Sequence, residues 1–446
     1  MKQITVAFPS GRGERLLIPE SSNVGDLRTL AQETFGQGFV KLVTANGVIL
    51  TDAIESLQAA GLEDGDHVTA LAVEPILAAS GGAFALCIRG GDRVVTWGRP
   101  AEGGDSSAVQ GKLRGVQQIA ATNQAFAAML EDGSLVTWGN SDLGGDSSAV
   151  QHQLKTVQQV LGTFGAFAAL LADGSVVTWG DENTGGDCSD VQDQLKNVKQ
   201  LQATSAAFAA ILGDGSVVAW GSPYAGGDSS GVEARLRNVK QVESAPKNEA
   251  FVAILADGSV VTWGNRDEGG DSDGVQDQLK GVQQVQGTNC AFAVLKEDGS
   301  IITWGLGVAG GDSSAVQDRL KGVQKLWSCG GAFAAMLEDG SLVTWGLSDM
   351  GGDSSAVQHQ LKIVQQVHGA DKAFAAILED GSVVTWGHPA FGGESSAVQH
   401  KLRNVQHLKA GYHAFVAILA NGAVVTWGES DSGGDSSQVQ EQFLSL

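Results

Sequence analysis

A pattern of 41 residues, AFAAIL-x-DGSVVTWG followed by GGDSSAVQxxLxxVQQV, recurs from about residue 76 to the C-terminus. The tryptophans of nine Trp-Gly pairs, from Trp97 to Trp427, are 41 residues apart at every step except the 43 between Trp220 and Trp263. An array this regular repeats one packing solution nine times, whereas a catalytic pocket needs unlike groups converging on one point. The chain therefore reads as a display or docking surface.

At 446 residues the chain has room for several ordinary domains, but an array grows by adding units. A formal charge of -22, from 50 Asp and Glu against 28 Lys and Arg, repels phosphate backbones, so no direct nucleic-acid partner is expected. Cys87, Cys188, Cys290 and Cys329 fall singly, without CxxC spacing, and read as reduced thiols rather than a disulfide frame or a metal site. The opening MKQITVAFPSGRGERLLIPE carries charge throughout, unlike a signal peptide, and no apolar run is long enough to span a bilayer. An intracellular protein, cytoplasmic rather than nuclear and away from membranes, is the expectation.

Residues 1–75 lack the repeat and read as a small mixed α/β unit, with residues 76–446 as the repeat domain. Ile4, Val6 and Phe8 alternate with polar residues before a glycine turn, and Arg15 to Ile18 supply a returning strand. Ser21 or Ser22 is the expected cap of a helix from Asn23 to about Phe35, whose Val24, Leu27, Leu30 and Ala31 share one face. Strands over 39–43 and 67–72, with a short helix over 54–57 between them, complete a β-grasp order. The hairpin, KLVTANGVILTD and AGLEDGDHVTALAV resemble ubiquitin-like domains. That resemblance implies an apolar docking patch on the sheet, with Val43 at the matching position and Lys41 and Thr44 making it more polar. A cap on the array's open end and recruitment of a ubiquitin-system partner are its two expected roles.

Each repeat is expected to form a three-stranded meander, with Asp-Gly as the tight turn of its second hairpin. The following GGDSSAVQHQLKTV is expected to form a short helix over a sheet edge, capped by Asp146 or Ser147. Nine phenylalanines hold one position: Phe84, Phe126, Phe167, Phe208, Phe251, Phe292, Phe333, Phe374 and Phe415. With Trp97, Trp138, Trp179, Trp220, Trp263, Trp304, Trp345, Trp386 and Trp427 they form the expected structural core. The GGDSS words lack a phosphate-binding lysine and place an acid where phosphate would approach. Asp105, Asp146 and their equivalents offer each loop one certain carboxylate, suited to capping and too few oxygens for calcium. No cofactor or metal is expected.

The words A-F-A-x-x-x-x-D-G-x-V-x-x-W-G resemble the RCC1 repeat, named for the regulator of chromosome condensation, over about residues 76–446. The fold class is accordingly mainly β: an RCC1-like β-propeller, or an open superhelix, of nine 41-residue units behind a β-grasp domain. This chain departs from the family in its shorter units, its GGDSS in place of a GQLG-type segment, and its nine units in place of the usual seven. RCC1-like proteins include exchange factors for a small GTPase, chromatin binders and docking parts of ubiquitin ligases.

Comparison among the repeats separates scaffold from surface. The four residues after each Trp-Gly vary almost freely, as in RPAE at 99–102 and SPYA at 222–225, and so does the loop before each AFAAIL strand. Such loops are where recognition resides on a fixed scaffold. Tyr224, Trp327, Phe391 and Tyr412 are aromatics outside the core register in these bands and are the candidate contacts, with His388 and His413 nearby. No Ser, His, Asp or Cys, His arrangement stands apart from the repeat. A non-catalytic protein-docking scaffold, with a ubiquitin-system role open to it, is the first reading; exchange regulation of a small GTPase, or a mechanical or assembly role, is the alternative.

Overall fold

The computed structural model describes every residue except Pro246 and Ser445. Five strands precede the repeats: β1 (Lys2–Ala7), β2 (Gly13–Ile18), β3 (Val40–Thr44), β4 (Ile49–Leu50) and β5 (His67–Ala72), with helix α1 (Val24–Phe35) after β2. Their sheet order is β2-β1-β5-β3-β4, with β1 parallel to β5 and the other pairs antiparallel. Val24, Leu27 and Ala31 of α1 are buried in a core with Ile4, Val6, Leu42 and Val68. Two details differ from expectation. Asn23, not Ser21 or Ser22, caps α1, in a reciprocal box with Asp26 that serves two otherwise orphan backbone donors. Residues 54–57 form turns rather than a helix, since Asp52 accepts from Ile54 N and draws the backbone into a local turn.

From Pro75 onward the described residues form nine three-stranded antiparallel sheets. In the second repeat the strands are Val116–Ala121, Ala125–Leu130 and Leu135–Gly139, with Phe126 opposite Trp138. The paired rings lie stacked in all nine repeats, with centroids 5.0–5.5 Å apart. First strands carry a bulge in the eight repeats after the first. Val157 and Val160, three apart, would face opposite sides of a regular strand, but the bulge lets both be buried, at 6% and 1% exposure.

Successive repeats interlock through the Gly-Gly pair. Each tryptophan Nε1–H donates to the carbonyl of the first glycine in the preceding repeat, as Trp138 does to Gly103, and these bonds measure 2.9–3.1 Å. Gly103, with φ +95°, lies where a Cβ would stand 2.4 Å from the Phe126 ring, so glycine there satisfies both a left-handed backbone and an interface with no spare room. The series also meets itself: Trp97 of the first repeat donates to Gly433 of the last at 3.0 Å. Phe84 and Trp97 share a core with Val416, Ile418 and Val439, and Phe443 of helix α2 (Gln440–Phe443) packs edge-on against Trp97. The ninth interface needs no exchanged strand, because the contact is between the faces of sheets.

In the eight repeats before the last, the segment after Gly-Gly is turns and short 3-10 or π pieces rather than the expected helix, while in the last it runs on into α2. Its polar side chains pull the backbone elsewhere. Asp146 Oδ1 accepts from Ser148 N at 2.8 Å, Ser147 Oγ meets Thr137 Oγ1, and Gln151 Nε2 reaches back to Leu135 O. The acid at this position makes the same two-residue turn in all nine repeats, at 2.8–2.9 Å, with Glu394 in the eighth.

The residue before the first strand takes a left-handed backbone, met by Gly115, Gly281 and Gly322 in three repeats and by Asn in three others. Ile363, at φ 52° and 56% exposed, is β-branched and gains little burial for that strain. Ile363→Asn is expected to raise stability by about 1 kcal/mol, read as a higher urea midpoint with unchanged slope.

Candidate docking face

The two variable bands lie together. In seven repeats a residue beyond the end of the first strand ties its loop to the block after Trp-Gly. Thr122 Oγ1 donates to Leu143 O, Thr163 to Thr184 O, Thr204 to Ala225 O and Thr288 to Ala309 O, and Ser80, Asn248 and Cys329 serve likewise. A backbone belt then joins the loops: Gly81 N donates to Asn123 O, Asn123 to Phe164, Phe164 to Ser205 and Ser205 to Asn248, then Asn289 to Gly330, Gly330 to Asp371 and Asp371 to Tyr412. The belt is fixed by main chain, which leaves most of its side chains free to vary; Gly81 and Gly330 are held to glycine, since a Cβ would stand 2.7 Å from Asn123 O and 2.4 Å from Asp371 O.

Repeats 8 and 9 have Ala370 and Gly411 at the tying position, which carry no polar atom for that bond. A side-chain cluster stands there instead. Phe391 lies edge-on to both His388 and His413, with Lys372 Nζ 4.8 Å from its ring centre. His413 Nδ1 is 2.8 Å from Glu429 Oε2, which also receives Ser432 Oγ and lies 3.3 Å from Arg99 Nη2 of the first repeat. The Ser432 hydroxyl chiefly, with the His413 and Arg99 charges, holds the Glu429 carboxyl below its ordinary range.

The one long repeat step places Lys247 inside the belt. Its ammonium is 2.7 Å from Asp371 Oδ1, 124 positions away, and 3.8 Å from the centre of the Tyr412 ring. Burial, more than the Asp371 charge, pushes the Tyr412 hydroxyl up to about 12, so it stays a neutral phenol. Beneath this pin lies a cavity of about 350 Å³ bordered by eight of the nine repeats.

Of the sequence candidates, Phe391 and Tyr412 fall in this region, along with His388 and His413. Tyr224 is 82% exposed in the fourth repeat's block, apart from the cluster, near Pro223, Asn265 and Arg266. Trp327 is a correction: it belongs to the strand Val323–Ser328 rather than to a loop, opposite Ala334 and packed against a buried core. The VQKL before it carries the same strand pattern as VQQV, which extends through Trp327. Val43 lies on β3 opposite Ile49 and Thr69, with Ile49 49% exposed and Leu71 37% exposed. Lys247 and Asp371 lie in the variable loops before the AFAAIL strands but were not singled out there; the two-residue insertion marks the Lys247 loop alone.

The nine phenylalanines are at most 1% exposed and the nine tryptophans of the Trp-Gly pairs are 4–5% exposed. Burial pushes the Cys87 and Cys329 thiols up to about 12, and burial with the Glu268 charge pushes Cys290 up to about 11, which leaves them protonated and poor nucleophiles. Among the described residues no group of three His, Cys, Asp or Glu is placed to hold a metal ion. No helix among them is long and apolar enough to cross a membrane.

His368 lies on the first strand of the eighth repeat, and burial, with the Lys409 charge second, lowers its pKa to about 4. The unfolded chain takes up that proton near pH 6.5 and the folded chain only near pH 4, so this contribution to stability is full above 6.5 and is lost as pH falls toward 4. Urea midpoints measured from pH 7 to pH 4.5 are expected to fall, and His368→Gln to flatten the slope.

No family model matches the chain, and no curated protein does. Solved structures do. Prp20p from Saccharomyces cerevisiae, described with its binding to Gsp1p and histones, is 15% identical with a TM-score of 0.36, covering 80% of this chain and 81% of its own. The ectodomain of the Arabidopsis thaliana receptor kinase ACR4 is 16% identical with a TM-score of 0.37, over 70% of this chain and 93% of its own. The computationally designed Ika8 protein is 13% identical with a TM-score of 0.34, over 79% and 95%.

Proposed function

We propose that residues 76–446 form a nine-bladed RCC1-like propeller, that residues 1–75 form a ubiquitin-like β-grasp domain, and that the whole is a non-catalytic scaffold docking a protein partner through one loop face. The convergence of both variable bands on a main-chain belt carries this reading, because the sequence varies where the fold is indifferent to it. The cluster of Phe391, Tyr412 and His413, with arginine and lysine at its rim, has the composition of an interface anchor. The mixed sheet order supports the β-grasp reading, and Val43 with Ile49 and Leu71 is the patch through which a ubiquitin-system adaptor role would run.

The second reading, regulation of nucleotide exchange on a small GTPase, is favoured by the RCC1-like motif and would use the same face. Affinity purification from native lysate with the intact chain, and with a control whose blocks after Trp-Gly in repeats 8, 9 and 1 are replaced by LSDM, separates these. Docking predicts a partner captured only by the intact chain. A small GTPase among the captured proteins, whose nucleotide release the chain accelerates, moves the reading to exchange regulation. Identical capture by a folded control removes the loop face from the account.

A further inference from the structure

The seam between the ninth repeat and the first differs from the other interfaces in what fills it. In the second to eighth repeats the glycine of the hairpin turn stands against the residue before the next repeat's first strand, as at Gly381, where a Cβ would lie 2.9 Å from Asn404 Cα. The ninth repeat's turn glycine, Gly422, meets the N-terminal unit: a Cβ on it would lie 2.5 Å from Gly38 O and 2.7 Å from Gln32 Nε2. A valine opens the first strand in eight repeats, and Pro75 opens it in the first. At the seam the ring of Phe39, 5% exposed, enters the core, with Phe84, Leu86 and Ile88 of the first repeat and Val416, Ile418 and Val424 of the ninth.

Helix α1 is built toward the same contact. Arg28 and Gln32, one turn apart, are buried at 7% and 4% exposure, although such side chains normally stay in water. Gln32 Nε2 donates to Gly38 O at 2.8 Å and so holds the backbone that faces Gly422. Arg28 Nη1 donates to Leu444 O at 3.1 Å, beyond the ninth repeat, while its Nη2 donates to Leu50 O at 3.0 Å, so one guanidinium ties β4 to the segment after α2. Phe39 O accepts from Val73 N at 3.1 Å, where the chain enters the first repeat. The Phe39 ring belongs to the seam's core and not to the core that Ile4, Leu27 and Leu42 share within the N-terminal unit.

We propose that residues 1–75 are a clasp on the array, with Gly38 and Phe39 supplying at the seam what the other repeats take from their successors. A cap on an open end would touch one terminal repeat, whereas this unit packs on both. The clasp also divides the surface of the unit: the side of α1 that carries Arg28 and Gln32 belongs to the seam, and the sheet face that exposes Ile49 and Leu71 is left for a partner. It is independent of the docking reading, since it engages the hairpin turns at the other ends of the strands from the variable loops.

Hydrogen exchange of the full chain, read strand by strand by mass spectrometry, tests it. Phe39→Ala and Gly422→Ala are each expected to speed exchange about tenfold or more in both Ala83–Ile88 of the first repeat and Ala414–Leu419 of the ninth, with Ala207–Leu212 of the fourth unchanged. Gly381→Ala, which strains the same turn one repeat earlier, is expected to leave Ala83–Ile88 as it is. Gly422→Ala alters the array side alone, so its outcome stands even where Phe39→Ala unfolds α1. Faster exchange in only one of the two seam strands, an equal rise in all three strands, or no rise overturns the clasp. A rise in Ala83–Ile88 from Gly381→Ala as large as that from Gly422→Ala overturns it as well.

Discussion

Gly185→Ala is expected to cost about 3 kcal/mol of stability, while the same substitution at Gly231 changes it by less than about 0.5 kcal/mol. The two glycines belong to neighbouring repeats and differ in what an added methyl would meet. Gly185 has φ +98°, and a Cβ there would stand 2.7 Å from Phe208 Cδ2 and 3.0 Å from Cε2, with Trp220 Nε1 at 3.6 Å. Phe208 is fully buried and stacked on Trp220, so the ring has nowhere to retreat without breaking the Trp220 bond to Gly185 O. Overpacking of about 1–3 kcal/mol then adds to about 1–2 kcal/mol of left-handed backbone strain. Gly231 is exposed, with nothing within 4 Å of its absent Cβ. Urea unfolding of the two variants checks this, and equal midpoints would mean that the interfaces between repeats yield more easily than their packing implies.

Lys247→Met is expected to cost about 2 kcal/mol, less than the 3–5 kcal/mol of breaking a fully buried pair, because the partners retain 29% and 13% side-chain exposure. The loss comes chiefly from Asp371, whose carboxylate would be left with Asn289 Nδ2 at 3.4 Å as its remaining side-chain contact. Tyr412 would lose the cation over its ring as well, a smaller loss. Asp371→Asn in the Lys247→Met background should recover part of that cost, since a neutral amide tolerates the missing ammonium. A double-mutant cycle by urea denaturation reads the coupling directly, and additive effects would show that the pair is held by the belt rather than holding it.

Most of the architecture was legible because it is written nine times. The Asp-Gly turns, the AFAAIL strand and its partner ending in Trp-Gly follow from alternation and turn chemistry within one repeat. The helix after Gly-Gly was misread because Val150 and Leu154 are spaced as on a helix, while Ser147 and Gln151 hydrogen-bond out of it to the preceding strand. The bulge was invisible for a related reason: Val157 and Val160 show their common burial only once Gln158 is set outside the ladder.

The candidate site was legible in part. Phe391, Tyr412, His388 and His413 stood out as departures from the repeat, and the substitution of Ala370 and Gly411 for the usual Thr or Ser would have marked the same two repeats. Tyr224 departs equally from the repeat yet sits apart, because departure locates a loop and says nothing of its neighbours across the array.

By itself the sequence determined the number of units, their strands and turns, and the pairing of phenylalanine with tryptophan, since each depends on residues within one repeat. Only the tertiary structure decided that Trp97 meets Gly433 and that Lys247 reaches Asp371 and Tyr412. Both are contacts between residues far apart in sequence, set by the small rotation each repeat adds to the last. Such sums over the whole array leave no trace in any one 41-residue window.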